Sequence, residues 1–335
     1  MSRFIVRRLI SLVFVSIGIT LITFTVSHIV PSDPARLALG ARAQPEAVQK
    51  MREKMGLDRP LPEQYLTYMT GLFRGDFGDS LYTRRTVRED LADYLPASIE
   101  LTITSLLLVI VFGYPLGVLA SYHQGRWIDR LVNSLSVIGV AIPVFWIGIV
   151  FQLIFYRGLQ WLPAEGRLPI GVDGPPTVTN LLILDSLLAG DIKMLGTVLR
   201  HLTLPAVTLA LPNLAYVVKL VRANMIEEMS KDYVCTAKSK GLTRKYILWK
   251  HALPNGLLPA ITLTGMLVGA MLAGAFLVEI IFNWPGIGWY TLKTILSQDF
   301  MAVISVTLIV ALVYMLSNLA VDLLYIRLNP RIRYS

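Results

Sequence analysis

The chain has 335 residues, 54% of them hydrophobic and 16% charged, with a mean hydropathy of +0.59 and a formal net charge of +9. So few charges exclude an ordinary water-soluble domain, which carries roughly 25%. The apolar content excludes disorder, and the lone Cys235 excludes a disulfide scaffold.

The charges cluster between long apolar runs, the pattern of a chain that crosses a membrane several times. The first run, 9–30, has no ionised group. At 1.5 Å per residue it covers about 33 Å, enough for a hydrocarbon core of about 30 Å. Arg3, Arg7 and Arg8 precede it as in a signal peptide, and Ala41-Arg42-Ala43 resembles a cleavage triplet. The run is too long for a signal core of about 7–15 residues, however, and the triplet lies well past its end. An uncleaved first helix is expected. Similar runs follow at 98–122, 131–156, 202–221, 256–282 and 302–325, giving six spans and an all-α, polytopic membrane fold. A weak seventh candidate, 181–199, is interrupted by Asp185, Asp191 and Lys193 and reads as an interfacial or loop segment.

The Lys/Arg bias orients the spans. With the amino terminus inside, the inner segments hold 16 of the 31 basic residues but only five of the 22 acidic ones, Asp129, Glu227, Glu228, Asp232 and Asp322. The net positive charge therefore follows membrane sidedness and gives no reason to expect a nucleic-acid partner. Both termini are expected on the cytoplasmic side.

Two domains are expected, 1–97 (first span plus a long outer loop) and 98–335 (five core spans with an inner loop at 222–255). In the first outer loop, 45–55 reads as an amphipathic helix. The segment 62–73 carries Tyr65, Leu66, Tyr68, Met69, Leu72 and Phe73, enough apolar surface to lie on the membrane or on the spans. The second outer loop, 157–201, is rich in Pro and Gly and is expected to be irregular. Pro115, Pro143, Pro205, Pro212 and Pro259 lie within the spans, where they kink helices and free backbone groups.

Catalytic and metal chemistry find no support. Gly78-Asp-Ser-Leu81 matches the string of a lipase family, with Ser80 as nucleophile. Such a hydrolase needs a His base held by an acid, and no Asp-x-x-His occurs in the chain. A loop turn, with bends at Gly75 and Gly78, is the expected role. The four histidines and one cysteine show no paired ligand spacing, and there is no phosphate-binding Gly-x-x-x-x-Gly-Lys-Ser/Thr loop. Glu100, Glu279 and Asp322 sit near span ends, where headgroup contact is possible. An ion-coupled secondary transporter is the alternative class, and it usually places ionisable groups near mid-membrane.

The inner loop is the informative segment. Residues 231–255 read as helix, glycine turn, helix: Ser230 or Asp232 can cap the first, Gly241 ends it, and Thr243 can cap the second. Its apolar face and basic rim should dock on something. The segment resembles the coupling motif of ABC importer permeases, with Ala237, Gly241, Leu253 and Pro254 at that family's spacing. Cys235 stands where the family has Glu, and His251 where it has Ile. The form Asp232-Tyr-x-x-Thr-Ala-x-x-Lys-Gly-Leu242 is similar to the dipeptide/oligopeptide/nickel branch. Similarity extends through Phe4-x-x-Arg-Arg-Leu9, Pro31-Ser-Asp-Pro34, Met55-Gly-Leu-Asp-x-Pro60, Gln64-Tyr65, Gly75-Asp76-x-Gly78, Phe282-Asn-Trp-Pro-Gly-Ile-Gly288, Val321-Asp-Leu-Leu-Tyr325 and Asn329-Pro-Arg-Ile-Arg333. It covers nearly the whole chain, and the pattern is closest to the first of the two permease subunits.

The resemblance implies a type I importer permease fold in a bacterial inner membrane. It also implies a second homologous permease, two cytoplasmic ATPases that carry ATP and Mg, and a periplasmic or lipid-anchored substrate-binding protein. No cofactor is expected in this chain. Tyr233, Thr236, Ala237, Lys240, Gly241, Leu242, Leu253 and Pro254 would form the ATPase contact. Ser105, Gln152, Asn213, Thr262 and Thr264 would line the substrate path, although such residues equally serve helix packing. Asp76, Trp284, Pro285 and Gly286 would meet the binding protein; Trp284 and Trp289 could instead be interfacial anchors.

Overall fold

The structure is a computed structural model that describes residues 2–29, 34–40 and 42–328. Pro31, Ser32, Asp33, Ala41 and the 329–333 motif lie outside the described residues, as do the side chains of the 4–9 and 321–325 motifs and Asp322. In chain order the helices are α1 (Ser2–Ile29), α2 (Pro34–Leu39), α3 (Pro45–Met55), α4 (Leu61–Phe73), α5 (Val87–Leu108), α6 (Tyr114–Tyr122), α7 (Trp127–Ala141), α8 (Val144–Phe151), α9 (Leu182–Leu188), α10 (Ile192–Glu228), α11 (Asp232–Ser239), α12 (Arg244–Ile247), α13 (Leu253–Gly256), α14 (Leu258–Ile281), α15 (Ile287–Leu296) and α16 (Phe300–Leu328). Among the described residues, extended pairing is limited to one antiparallel bridge between Asp79 and Thr86.

Among the described residues, the six expected apolar runs are mostly helical. Four helical stretches are long and apolar enough to cross a membrane: Val87–Tyr122, α10, α14 and Met301–Ala320 of α16. The first helix carries the apolar stretch Ile10–Val26. The third expected span departs from a single rod, because α7 and the helical stretch Val144–Gly158 meet at 103°. Pro143 causes the break. It disfavours helical geometry in the residue before it, and Ile142 adopts an extended ψ of 129°. At two prolines the helix widens first, with π-helical turns at Val109–Gly113 and Leu248–Ala252 ahead of Pro115 and Pro254, whereas Pro205 and Pro212 lie within the continuous α10.

The 181–199 segment is helical rather than loop. Its first part is α9, Gly190 turns with φ +69°, and the rest is the start of α10. The Asp191 side chain accepts from the Met194 amide at 2.8 Å, an N-cap that lengthens α10 well beyond its apolar run. The expected helix at 45–55 is α3, and 62–73 falls within α4. Gly75 and Gly78 both adopt φ +78°, supplying the bends expected around Ser80.

Two compact units emerge: Met1–Ala97 with Pro285–Met315, and Ser98–Trp284 with Leu316–Ser335. Within the first, Val87, Leu91, Ile287, Tyr290, Ala302 and Val306 form an apolar core. Ser80 and Asp299 are both buried beside one another, and Ser80 Oγ donates to Asp299 Oδ2 at 2.6 Å. Ser80 thus ties the 75–86 loop to the start of α16, with a carboxylate rather than a histidine as its partner.

Within the second unit, α10 is the central element and packs against α6, α7 and α14. The approach is close because glycines face it. A Cβ built on Gly117 would lie 2.6 Å from Val221 Cβ, and one on Gly139 would lie 2.9 Å from Ala215 Cβ. Glu100 and Glu279 are buried rather than turned to headgroups. Glu100 pairs with Arg167 Nη2 at 2.6 Å and accepts from the Ile183 amide at 2.7 Å, while Glu279 accepts from Ser98 Oγ at 2.5 Å. A carboxylate in an apolar bundle needs such partners, and the loop around Arg167 folds back to supply one.

Candidate functional site

The 229–256 segment folds as the expected hairpin. Helix α11 ends at Gly241, whose φ of +77° suits a residue without a side chain, and Thr243 caps α12 by accepting from the Tyr246 amide at 3.4 Å. The first helix is capped differently from expectation. Lys231 takes the N-cap position without a side-chain capping bond, Ser230 Oγ turns back to the Glu227 carbonyl, and Asp232 lies inside the first turn. Val234, Ala237 and Ile247 form a small buried core with Met229 packed on it. Ala237 is therefore consumed by the hairpin's own packing, at 8% exposure. Tyr233, Thr236, Lys240, Gly241, Leu242 and Pro254 are exposed, and Leu253 is half-buried.

The hairpin is fixed to the spans by contacts that sequence reasoning missed. Glu228, buried at the end of α10, accepts from Lys231 Nζ at 2.5 Å and from the Tyr233 hydroxyl at 2.8 Å. The Glu228 carboxylate raises the Lys231 ammonium above its usual range; partial burial and then Glu228 raise the Tyr233 phenol. Gly256 lets α13, the return of the hairpin, touch α10, since a Cβ there would lie 2.6 Å from Met225 Sδ. The Arg244 guanidinium stacks over the Tyr122 ring at 4.9 Å, joining α12 to the end of α6. Arg222 on α10 grips Asp129 on α7 with two bonds, 2.5 and 2.9 Å, and Asp129 also accepts from the Gly125 amide at 2.8 Å. The hairpin and the 122–131 connection thus form one braced platform on α6, α7 and α10.

On this platform Tyr233, Leu242, Tyr246 and Trp249 are exposed, the last two at 48% and 57%, among Lys238, Lys240, Arg244, Lys245 and Lys250. Tyr246 and Trp249 belong to the hairpin's surface although they were absent from the expected contact set. Their spacing of three residues in the second helix was the available signal. An amphipathic hairpin that is rigidly held and presents aromatic anchors in a basic rim has the makings of a protein-docking surface.

The five path candidates lie on several helical segments and each makes its own contacts. Ser105 is buried and donates to the Leu101 carbonyl at 2.7 Å; Thr264 is buried, donates to the Ala260 carbonyl and meets the Tyr114 hydroxyl at 2.8 Å. Gln152 Nε2 donates to the carbonyls of Ala164 and Ile281 at 2.9 and 3.0 Å, holding the outer loop to α14. Asn213 and Thr262 are half-buried and bond to carbonyls one turn back. Of the docking candidates, Asp76 is exposed and bonds the Gly78 amide at 2.9 Å, Pro285 is half-buried, and Gly286 is buried. Trp284 is 0% exposed with Arg167 over its ring at 5.7 Å, so it is a core residue and not an interfacial anchor.

Comparison with known proteins places this architecture. Residues 113–334 match the family described as "Binding-protein-dependent transport system inner membrane component". Residues 1–102 match its companion, "Binding-prot-dependent transport system membrane comp, N-term". The probable D,D-dipeptide transport system permease protein of Escherichia coli (strain K12) is 43% identical over 321 residues, 96% of this chain and 94% of that protein. A dipeptide transport system permease protein of Alkalihalophilus pseudofirmus is 38% identical over 338 residues, covering 100% of both chains. A glutathione transport system permease protein of Salmonella typhimurium is 32% identical over 334 residues, again over 100% of both.

Proposed function

We propose that this chain, which belongs to the family of binding-protein-dependent transport system inner membrane components, passes di- or oligopeptides through a pore completed by a second, homologous permease. It is a multi-pass membrane permease subunit of an ABC importer and not itself an enzyme. Two ATPase subunits supply ATP- and Mg-dependent work, and a periplasmic or lipid-anchored binding protein delivers the substrate. Both termini and the hairpin lie on the cytoplasmic side, in keeping with the basic bias of those segments.

The observation that carries the coupling role is the bracing of the hairpin. Its exposed Tyr233, Thr236, Lys240, Leu242, Tyr246 and Trp249 meet an ATPase. Glu228, Gly256 and Arg244 transmit the resulting displacement to α10 and α6. A thousandfold solute gradient opposes import by about 4 kcal/mol, so the contact must be stiff as well as attractive. Ala237 and Gly241 shape the lever, and Leu253 and Pro254 its return to the spans. Asn213, Thr262 and Gln152 are path residues that each stay partly exposed, and Ser105 and Thr264 complete the same polar set from buried positions. Asp76 and Pro285 remain candidates for the binding-protein contact.

The test is Gly241→Val in the assembled importer. A β-branched side chain at φ +77° costs about 1–2 kcal/mol of local strain. Peptide uptake should be lost while the variant stays in the membrane; uptake at the wild-type rate would refute the assignment.

A further inference from the structure

Arg157, Arg200 and His201 line one open cavity of about 670 Å³. On one side it is bounded by the end of the helical stretch Val144–Gly158, which widens into a π-helical turn over Gln152–Gly158 and contributes Tyr156 and Arg157. The chain then turns at Gln160, whose φ of +55° is left-handed, and adds Trp161 to the lining. The start of α10 supplies Arg200 and His201. Both π-helical turns and left-handed non-glycine residues gather where a fold positions functional side chains.

The lining is cationic and lacks a counter-charge. It includes no Asp or Glu, and among the described residues neither arginine makes an ion pair. Arg157 is exposed and holds no hydrogen bond among those residues. Arg200 Nη2 donates to the Trp161 carbonyl at 2.9 Å, which fixes the guanidinium and leaves its other N–H groups for a ligand. His201 Nδ1 is held 3.1 Å from the Glu165 and Gly166 carbonyls. Two guanidinium groups facing one cavity repel each other. An oxyanion between them removes that repulsion and accepts their forked N–H groups in pairs.

Both arginines stand where apolar helix gives way to loop: Arg157 follows the 131–156 run and Arg200 precedes the 202–221 run. A charge pair at that boundary is stronger than one in open water. From Arg200 to Glu228 α10 rises about 42 Å, more than a hydrocarbon core of about 30 Å, so the cavity and the hairpin lie at opposite membrane faces. We propose that the cavity is an oxyanion site, taking a carboxylate or phosphate group at the face opposite the hairpin. Two sources bring this chemistry there. One is the carboxyl end of a peptide awaiting import, which rests on the importer reading; the other is the phosphate of an anionic lipid headgroup, which does not.

The experiment is arginine footprinting with phenylglyoxal on the assembled importer in dodecyl maltoside, an uncharged detergent, with modification of Arg157 and Arg200 read by peptide mass spectrometry. The arms add alanyl-alanine, alanyl-alanine amide or phosphatidylglycerol. Arg157 should be reactive without ligand and slow about tenfold with an oxyanion that fits. Slowing by alanyl-alanine but not its amide assigns the peptide carboxylate; slowing by phosphatidylglycerol alone assigns the lipid phosphate. Arg157→Gln should remove the same ligand's protection of Arg200; should that variant fail to assemble, the wild-type arms decide. An Arg157 unreactive without ligand, equal rates in every arm, or equal slowing by the dipeptide and its amide overturns the proposal. The readout needs no transport, so its failure leaves the importer assignment standing.

Discussion

Replacing Gly117 with alanine tests how the hairpin's movement reaches the spans. Gly117 on α6 faces α10 so closely that the new methyl would lie 2.6 Å from Val221 Cβ, 2.7 Å from its Cγ1 and 3.0 Å from the Val218 carbonyl. Carbon atoms rest at about 3.5–4.0 Å, so α6 and α10 must part by about 1 Å. The neighbouring contact of Gly113 with Val217 Cγ1, at 3.2 Å for a built Cβ, leaves no slack one turn away. Overpacking of this kind costs about 1–3 kcal/mol. Between membrane helices, where close van der Waals contact is the main attraction, the separation also loosens the pair. Because α6 ends at Tyr122 beneath Arg244, the shift propagates to the hairpin. The assay is peptide-stimulated ATPase activity and uptake in vesicles, beside thermal unfolding of the purified importer. Gly117→Ala should lower the midpoint and the peptide imported per ATP. Gly117→Ala with Val221→Ala, which removes the opposing methyls, should restore much of both. Unchanged stability and coupling in the single variant, or no rescue in the double, would refute the reasoning.

Glu228→Ala removes the acceptor of the Tyr233 hydroxyl, worth about 1 kcal/mol for a partly exposed bond; amides of α11 should exchange about fivefold faster, and unaltered exchange would argue that the hairpin is held otherwise. Ser80→Ala leaves the buried Asp299 carboxylate without its hydroxyl donor and should destabilise the importer by about 1–3 kcal/mol, with no change in any esterase assay. Asp185, outside the spans, is buried at some cost to its charge, yet hydrogen bonds from the Thr179 hydroxyl and amide outweigh that and hold its pKa below the usual value. A depressed folded pKa contributes stability that is present above about pH 4 and is lost as the pH falls through the folded value; protection of the 178–185 segment from proteolysis should fade on acidification, and Asp185→Asn should abolish that dependence.

The sequence announced the apolar runs, α3, the hairpin and its Gly241 turn because each rests on local signals: periodicity, composition, a glycine at a helix end. What it hid was non-local. The 103° break at Pro143 could have been read, since proline restricts the preceding residue; a run judged by apolar length alone conceals it. Asp191 was read as an interruption, whereas its side chain caps α10. Trp284, Glu100 and Glu279 looked like interface residues, yet tertiary partners such as Arg167 and Ser98 bury them. Glu228, Asp129 and Arg222 were counted only as inner charges, and their bracing role depends on pairing across up to 93 positions of chain. The bonds that Ser105 and Thr264 make, to carbonyls one turn back and to the Tyr114 hydroxyl, were likewise not announced by the sequence pattern.

The central claim is that a separate ATPase grips the hairpin from the cytoplasm. Its most direct test is site-specific cross-linking from Leu242→Cys, in a Cys235→Ala background, in right-side-out membrane vesicles. The account predicts a covalent product with an ATPase subunit whose yield changes with ATP, and no labelling of position 242 by an impermeant outside thiol reagent. Labelling from outside, or cross-links that never include an ATPase, would contradict it.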